Sequence, residues 1–249
     1  MQFLDCNLSY GPLVPRTQLR GCANLSELKA HLNRAGIAGG LVAMALDEVN
    51  IANDALAADL TREGRPIFWG VWRLLPPHTG EIPLPRDLPA AMKANNIAAL
   101  TICPATNRFM PNKFAIGAYL EMASERNIPV MLNTARGLTL EQAAGVLADF
   151  PDLTCVLTYA NCWPSDRLLR PFLDAYPNLS LDMSYMLTDS GLKDILRRYS
   201  ARRILFGSAF PESYLGAHML VIKHADISDE DKRLIAGENL LRLIEEARL

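Results

Sequence analysis

Short runs made almost entirely of apolar residues recur along the chain, and between them lie stretches whose apolar residues return every three or four positions. The runs are Phe3 to Asn7, Gly40 to Ala45, Ile67 to Trp72, Ile97 to Cys103, Val130 to Asn133, Thr154 to Tyr159, Leu179 to Met183 and Ile204 to Gly207. Because they do not alternate with polar residues, they read as strands covered on both faces, as in a parallel sheet wrapped by helices. The intervening stretches predict helices over Leu25 to Ala35, Glu48 to Arg62, Leu88 to Asn95, Lys113 to Arg126, Leu140 to Phe150, Ser165 to Tyr176, Ser190 to Tyr199, Tyr214 to Lys223, and a last one from Asp229. A strand followed by a helix, repeated eight times within 249 residues, is the plan of one (β/α)8 TIM barrel, an α/β fold that takes residues 1–249 as a single domain. The helix after the eighth unit is then extra, at the C-terminus, and is expected to pack outside the barrel.

Helix starts are marked by residues able to accept from the unpaired N–H groups of a first turn. Asn24-Leu-Ser-Glu27 and Thr139-Leu-Glu-Gln142 have the spacing of a reciprocal capping box, and Ser228-Asp-Glu-Asp231 fits it loosely. The stretch from Pro76 to Pro85 excludes regular helix or a central strand, since proline lacks an N–H and fixes φ. It is expected as a βα loop on the face of the barrel where reacting groups collect.

Charge and composition narrow the function classes. With 25 Lys and Arg against 27 Asp and Glu, the net charge of −2 gives no basic field to draw the chain to nucleic acid. No stretch reaches the ~18 uninterrupted apolar residues of a membrane span, and the N-terminus shows no charged and apolar leader, so a cytoplasmic location is expected. Cys6, Cys22, Cys103, Cys155 and Cys162 form no CxxC pair, which fits a reducing compartment and small core residues. There is no GxGxxG or Walker sequence; Gly36 and Gly39-Gly40 read as the turn from a helix into the second strand, and dinucleotide binding is not indicated.

In such a barrel the chemistry comes from the C-terminal ends of the strands. Arg203-Ile-Leu-Phe-Gly-Ser-Ala209-Phe-Pro211 is similar to the eighth-strand motif of the amidohydrolase-related (amidohydrolase 2 type) metal-dependent hydrolases, LFGSD followed by an aromatic residue and Pro, with Ala209 where that family has Asp. Ile235-Ala-Gly-Glu-Asn239-Leu-Leu-Arg-Leu243 resembles the same family's terminal helix. Phe3-Leu-Asp5-Cys6-Asn7-Leu8-Ser9 resembles its first strand, whose D-x-H-x-H supplies two metal-binding histidines; Asn7 and Ser9 hold those positions here. Pro129-Val-Met-Leu-Asn133-Thr134 stands for a fifth strand ending in His, and Val156-Leu-Thr-Tyr159-Ala-Asn161 for a sixth that reads close to LAHLG, so Asn133 and Tyr159 also replace histidines. In strand order the resemblance spans the chain. It implies an amidohydrolase-like hydrolase from which the family's metal ligands are gone, since amides, a hydroxyl, a phenol and a methyl group bind zinc poorly and cannot activate its water. No metal and no other cofactor is expected. His31, His218 and His224 fall in or beside helices and His78 lies in the proline-rich loop, so none is placed to make up the loss.

What remains at the strand ends is a set of hydrogen-bonding groups. Asn7, Ser9, Arg73, Arg108, Asn133, Asn161 and Ser208 are candidates to hold a small polar or carboxylated ligand, the arginines by forked hydrogen bonds unless neighbouring acids claim them. Tyr159 is a candidate proton donor to a leaving group, or else a phenol filling the space of the lost histidines. Asp182 is a candidate general base, with a structural hydrogen-bonding role as the alternative. Trp72 and Trp163 either line the pocket or pack beneath it, and Cys6 and Cys162 flank it without a nearby base to make a thiolate. Two function classes follow: a hydrolase or lyase that works without the family's metal, and a non-catalytic small-molecule-binding barrel. The resemblance and the many apolar helix residues also point to a homo-oligomer.

Overall fold

The computed structural model describes residues 1–12, 22–61, 67–160, 166–186 and 191–249. Strands β1 (Phe3–Tyr10), β2 (Ile37–Met44), β3 (Phe68–Arg73), β4 (Ile97–Ile102), β5 (Val130–Asn133), β6 (Cys155–Thr158), β7 (Leu179–Asp182) and β8 (Ile204–Leu205) pair in parallel and in chain order. The seam closes where the Cys6 N–H donates to the Phe206 carbonyl (2.9 Å) and the Ser9 N–H to that of Phe210 (3.0 Å). Around this barrel run α1 (Leu25–Ala35), α2 (Val49–Asp59), α3 (Leu88–Ala94), α4 (Pro104–Asn107), α5 (Lys113–Glu125), α6 (Leu140–Asp149), α7 (Asp166–Ala175), α8 (Gly191–Arg198) and α9 (Leu215–His224). At the C-terminus follow α10 (Asp229–Arg233), a π-helical turn over Leu234–Glu238, and α11 (Asn239–Glu246). No helix among the described residues is long and apolar enough to cross a membrane.

The expected caps form: Asn24 accepts from the Glu27 N–H, Thr139 and Gln142 make the reciprocal box, and Ser228 accepts from the Asp231 N–H. The proline-rich stretch makes a single 3-10 turn, Pro77–Thr79, which proline permits because a first-turn N–H has no helical partner anyway. One expectation fails at β2, which starts at Ile37 and carries Gly39 and Gly40 inside it instead of in a turn. A Cβ on Gly40 would sit 1.8 Å from the carbonyl oxygen of Asp5, so β2 approaches β1 this closely only with glycine there.

Two apolar layers hold the fold. The outer one lies between sheet and helices and includes Leu28, Leu56, Leu120, Val146, Ile195 and Ile222. The inner one fills the barrel with Leu4, Cys6, Leu41, Val71, Ala99, Met131, Val156 and Leu205, and it also takes in Leu240 and Leu243 from α11. The terminal helix therefore does not pack outside, as the sequence suggests. It plugs the N-terminal mouth, where Asn239 donates to the carbonyls of Ala201 (2.8 Å) and Ile204 (2.9 Å), and the plug buries apolar surface that the open barrel end would otherwise show to water.

Strand β1 changes phase partway along. Leu4 and Cys6 belong to the inner layer, but Leu8 and Tyr10 belong to the outer one, and the pairing with β2 slips between Asp5 and Leu8. Such a bulge inserts one step into the in-out alternation, which turns Asn7 and Ser9 toward the barrel mouth.

Candidate functional site

At the C-terminal ends of the strands lies a pocket with room for water-sized molecules of about 60 Å³. Asn7 and Ser9 of β1 form one wall, with Asp47 beyond β2 and Arg73 at the end of β3. Thr101 and Cys103 of the β4 end, Asn133 and Arg136 after β5, and Tyr159 after β6 complete it.

Beneath the β1 wall sit two fully buried carboxylates, Asp5 and Asp182. Asp182 Oδ2 accepts from Asn7 Nδ2 (2.8 Å) and from the Ser184 hydroxyl (2.6 Å), and Oδ1 accepts from the Ser184 N–H (3.2 Å). The Tyr159 N–H also favours its charged form. Asp5 Oδ1 accepts from the N–H groups of Asn7 (2.9 Å) and Ser208 (3.1 Å), while Oδ2 is buried with no hydrogen bond. Burial is the leading influence on both, and although these donors pull back, each carboxyl is raised from 3.8 to about 6. Gly207 makes the crowding possible, since a Cβ there would lie 3.0 Å from Ser184 Oγ, 3.1 Å from Cys6 Sγ and 3.2 Å from Asp182 Oδ2. Below Ser184, the buried His218 ring presents Nε2 to the Ser184 carbonyl, which can only accept, so Nε2 carries the proton, and burial lowers the pKa of the ring.

The opposite wall is cationic and rich in donors. Arg73 is half-buried and donates to the Met44 carbonyl; burial lowers its pKa, yet a guanidinium stays charged at neutral pH. Asn133 Oδ1 accepts from the N–H groups of Ala135 (3.0 Å) and Arg136 (3.1 Å), capping a 3-10 turn, Thr134–Arg136, that brings the Arg136 side chain back over the pocket. Glu212 lies 3.6 Å from Arg136 and offsets part of its charge. Tyr159 takes up a left-handed backbone conformation at φ 61°, and burial, followed by the charges of Glu212 and Asp182, pushes its phenol far above the ordinary tyrosine range. A neutral phenol with no hydrogen-bond partner among the described residues is a proton donor in waiting.

The structure thus gathers Asn7, Ser9, Arg73, Asn133 and Tyr159 around one pocket. Asp182 stands one layer behind, reaching the pocket through Asn7. Ser208 is fully buried and is spent on Asp5 and on the Phe210 N–H, which its Oγ accepts at 3.1 Å. Arg108 faces elsewhere: α4 turns the chain outward after β4, Arg108 caps it in the left-handed region at φ 56°, and its side chain borders a separate cleft with Pro76, His78, Phe109 and Phe114. Asn161, Cys162 and Trp163 lie outside the described residues. Trp72 is packing, its indole N–H donating to the Asn53 carbonyl (3.0 Å), and Cys6 lies in the inner layer while Cys103 is the thiol on the pocket wall. Sequence reasoning missed Arg136, Asp47 and Ser184 as site residues. Arg136 had a legible signal, since it stands at the end of the turn that a capping Asn133 predicts.

The family profile described as amidohydrolase matches residues 12–244. The chain belongs to the amidohydrolase family. The match begins after β1, so the replaced first-strand positions Asn7 and Ser9 precede it. Among curated proteins none matches the sequence. Solved amidohydrolase-like barrels share the fold at low identity. An uncharacterized TIM-barrel protein from Bordetella bronchiseptica is 21% identical with a TM-score of 0.66, over 90% of this chain and 83% of its own. The 5-carboxyvanillate decarboxylase of Sphingomonas paucimobilis is 14% identical with a TM-score of 0.74, over 98% and 99%. A probable 2-pyrone-4,6-dicarboxylic acid hydrolase from Acinetobacter baumannii, solved with citric acid bound, is 13% identical with a TM-score of 0.72, over 98% and 100%.

The metal that the amidohydrolase resemblance implies does not fit the residues present. Asn7 and Ser9 offer the pocket only neutral oxygens, Asn133 has committed Oδ1 to two backbone N–H groups, and Ala209 offers only a buried methyl group. Tyr159 is held neutral. Among the described residues no group of three or more His, Cys, Asp or Glu side chains converges in a way that could hold a metal ion.

Proposed function

We propose that this amidohydrolase-family chain is a hydrolase for a small carboxylated substrate that works without a metal ion. The observation that carries the reading is that Arg73 and Arg136, two guanidiniums, line the same strand-end pocket whose metal positions are filled by amides and a phenol. The citric acid bound to the Acinetobacter neighbour supports an anionic ligand in a barrel of this shape. In this reading Arg73, Arg136 and Asn133 hold the substrate carboxylate, with Ser9 beside it. Asp47, which lines the pocket with its carboxylate unpartnered by hydrogen bonds among the described residues, takes a proton from the attacking water. Tyr159 gives its proton to the leaving group and regains one from Asp47 through water, so the cycle closes. Asp182 is then a positioning residue that aims Asn7. Arg108 and Ser208 have no contact with substrate in this scheme, and Asn161 is left as a candidate from its place after β6.

Chelator-treated protein should hydrolyse one or more members of a panel of small carboxylated lactones and esters, with proton release followed at constant pH. Tyr159→Phe should lower kcat by roughly 100-fold or more. Activity that appears only on adding zinc or manganese, with near one equivalent found by elemental analysis, would sink the metal-free mechanism. The second reading, a non-catalytic binding barrel, is favoured by the seclusion of Asp5 and Asp182, neither of which reaches the pocket; binding without turnover across the panel selects it. A cytoplasmic location and self-association belong to the same proposal. The exposed Met110 and Phe114 beside the Arg108 cleft are apolar surface that a second copy would cover, and light scattering showing only monomer at micromolar concentration removes that part.

A further inference from the structure

Asn7 and Asn133 face one pocket with opposite ends of their side-chain amides, and this polarity says what kind of ligand belongs between them. Asn7 Nδ2 donates to Asp182 Oδ2 (2.8 Å) and to Ser184 Oγ (3.1 Å), two groups outside the pocket lining. The orientation is fixed by chemistry, because an ionised carboxylate can only accept and an Oδ1 turned toward it would be repelled. What Asn7 offers the pocket is therefore Oδ1, which has no protein hydrogen bond among the described residues. Asn133 is reversed: its Oδ1 is occupied by the Ala135 and Arg136 N–H groups at 3.0 and 3.1 Å, which leaves the NH2 group for the pocket. Arg73 and Arg136 add positive charge near that donor.

The pocket therefore sets the Asn7 amide oxygen, in a lining that also holds the Asp47 carboxylate, across from a cluster of donors and cations. We infer that it selects a small anion that also carries a neutral hydrogen-bond donor, a hydroxycarboxylate of a few carbons, and that Asn7 Oδ1 is the specificity-determining atom that reads the hydroxyl. The inference rests on the reading of the pocket as an anion site and adds the second recognition element. An unsubstituted carboxylate satisfies the cationic side equally well but leaves Oδ1 stripped of water and unpaired, which is the arrangement that penalises an analogue lacking the hydroxyl. The space of about 60 Å³ fits a ligand with few atoms beyond these two groups. A ligand ammonium could also donate; it would meet Arg73 and Arg136 but also Asp47, and glycine is the probe that separates it from a hydroxyl.

The test is calorimetric titration of the full-length protein with acetate, glycolate and glycine. Glycolate is expected to bind roughly tenfold or more tighter than acetate, and glycine more weakly than glycolate. Asn7→Leu, which removes the acceptor together with the donor to Asp182, should bring the glycolate-to-acetate affinity ratio close to one, whatever it does to the two affinities separately. If that variant does not fold, the glycolate-to-acetate ratio in the wild-type protein decides by itself. Equal affinities for the two, with both weakened by Arg136→Gln, would overturn the hydroxyl recognition and leave the anion site standing. Binding of neither, with Arg136→Gln without effect, would overturn the anion site and the inference together. Glycine binding as tightly as glycolate would show that Asp47 reads a cation, and would overturn the neutral donor.

Discussion

The rim of the barrel is built in two unlike sectors. On the β1, β7 and β8 side, polar groups are turned inward, so that Asp5, Asp182, Ser184 and Ser208 pair with one another or with the backbone, Asp5 Oδ2 alone lacking a partner among the described residues, and only Asn7 and Ser9 reach the pocket. On the β3 to β6 side, Arg73 and Asn133 lean on the backbone, Arg136 lies beside Glu212 and Tyr159 packs on the Tyr185 ring, and all four line the pocket. The first sector is where the family's first- and eighth-strand metal ligands would stand. Losing those ligands has not left a hole there; the space has become a closed hydrogen-bond network that aims one amide. The second sector keeps the open valences and is where binding energy is to be found.

The largest expected effect comes from breaking the closed sector. Asp182→Leu strands the Asn7 amide, both Ser184 donors and the Tyr159 N–H in a buried site, and should lower stability by roughly 3–5 kcal/mol in urea unfolding. A loss below about 1 kcal/mol would mean that water or rearrangement satisfies those donors and that the sector is not closed.

Next in size is the pH dependence of the same sector. Asp5 is raised from 3.8 to about 6 in the folded protein, so folding is helped while the carboxyl is protonated, and that help is lost as pH rises from about 4 through about 6. Asp5→Asn keeps an acceptor for the two N–H groups and removes the titration. The stability of the wild-type protein relative to this variant should therefore fall across that window, by roughly 3 kcal/mol at most for a shift of about two units. A flat difference would show that Asp5 ionises as freely in the folded chain as in the unfolded one.

In the open sector, Arg73→Met should weaken binding of a small carboxylate by roughly 10- to 100-fold, the worth of a charge-assisted pair, with little loss of fold because its stem still packs. An unchanged affinity would move anion recognition away from β3. The smallest effect is expected at Arg108, which shares neither sector. Arg108→Gly relieves a left-handed backbone at an exposed helix end and should stabilise by roughly 0.5–1 kcal/mol while leaving carboxylate affinity untouched. A fall in affinity would place Arg108 in the site after all.

The barrel was legible because each strand announces itself as an apolar run between stretches of helical periodicity, a local signal that the tertiary structure does not override. The β1 phase change was not legible. Nothing in Asp5-Cys6-Asn7-Leu8 marks a bulge, which follows from how Asp5 and Gly40 meet across two strands. Arg73 could be read as a strand-end cation, whereas Arg108, an equally plausible one, is carried away because Pro104 opens a helical turn immediately after β4. Asp182 was visible as an acid at a strand end, but its seclusion depends on Ser184 and Gly207 approaching from different segments.

The terminal plug has a consequence for the order in which the molecule is completed. Leu240 and Leu243 enter the same apolar cluster as Leu4 and Leu205, and Asn239 ties down the start of β8, although most of the chain lies between β1 and these residues. A ribosome releases every strand before it releases the plug. Until then the nascent barrel has an open floor and a seam held by few bonds, so a segment that emerges after every strand turns a collapsed sheet into a sealed vessel.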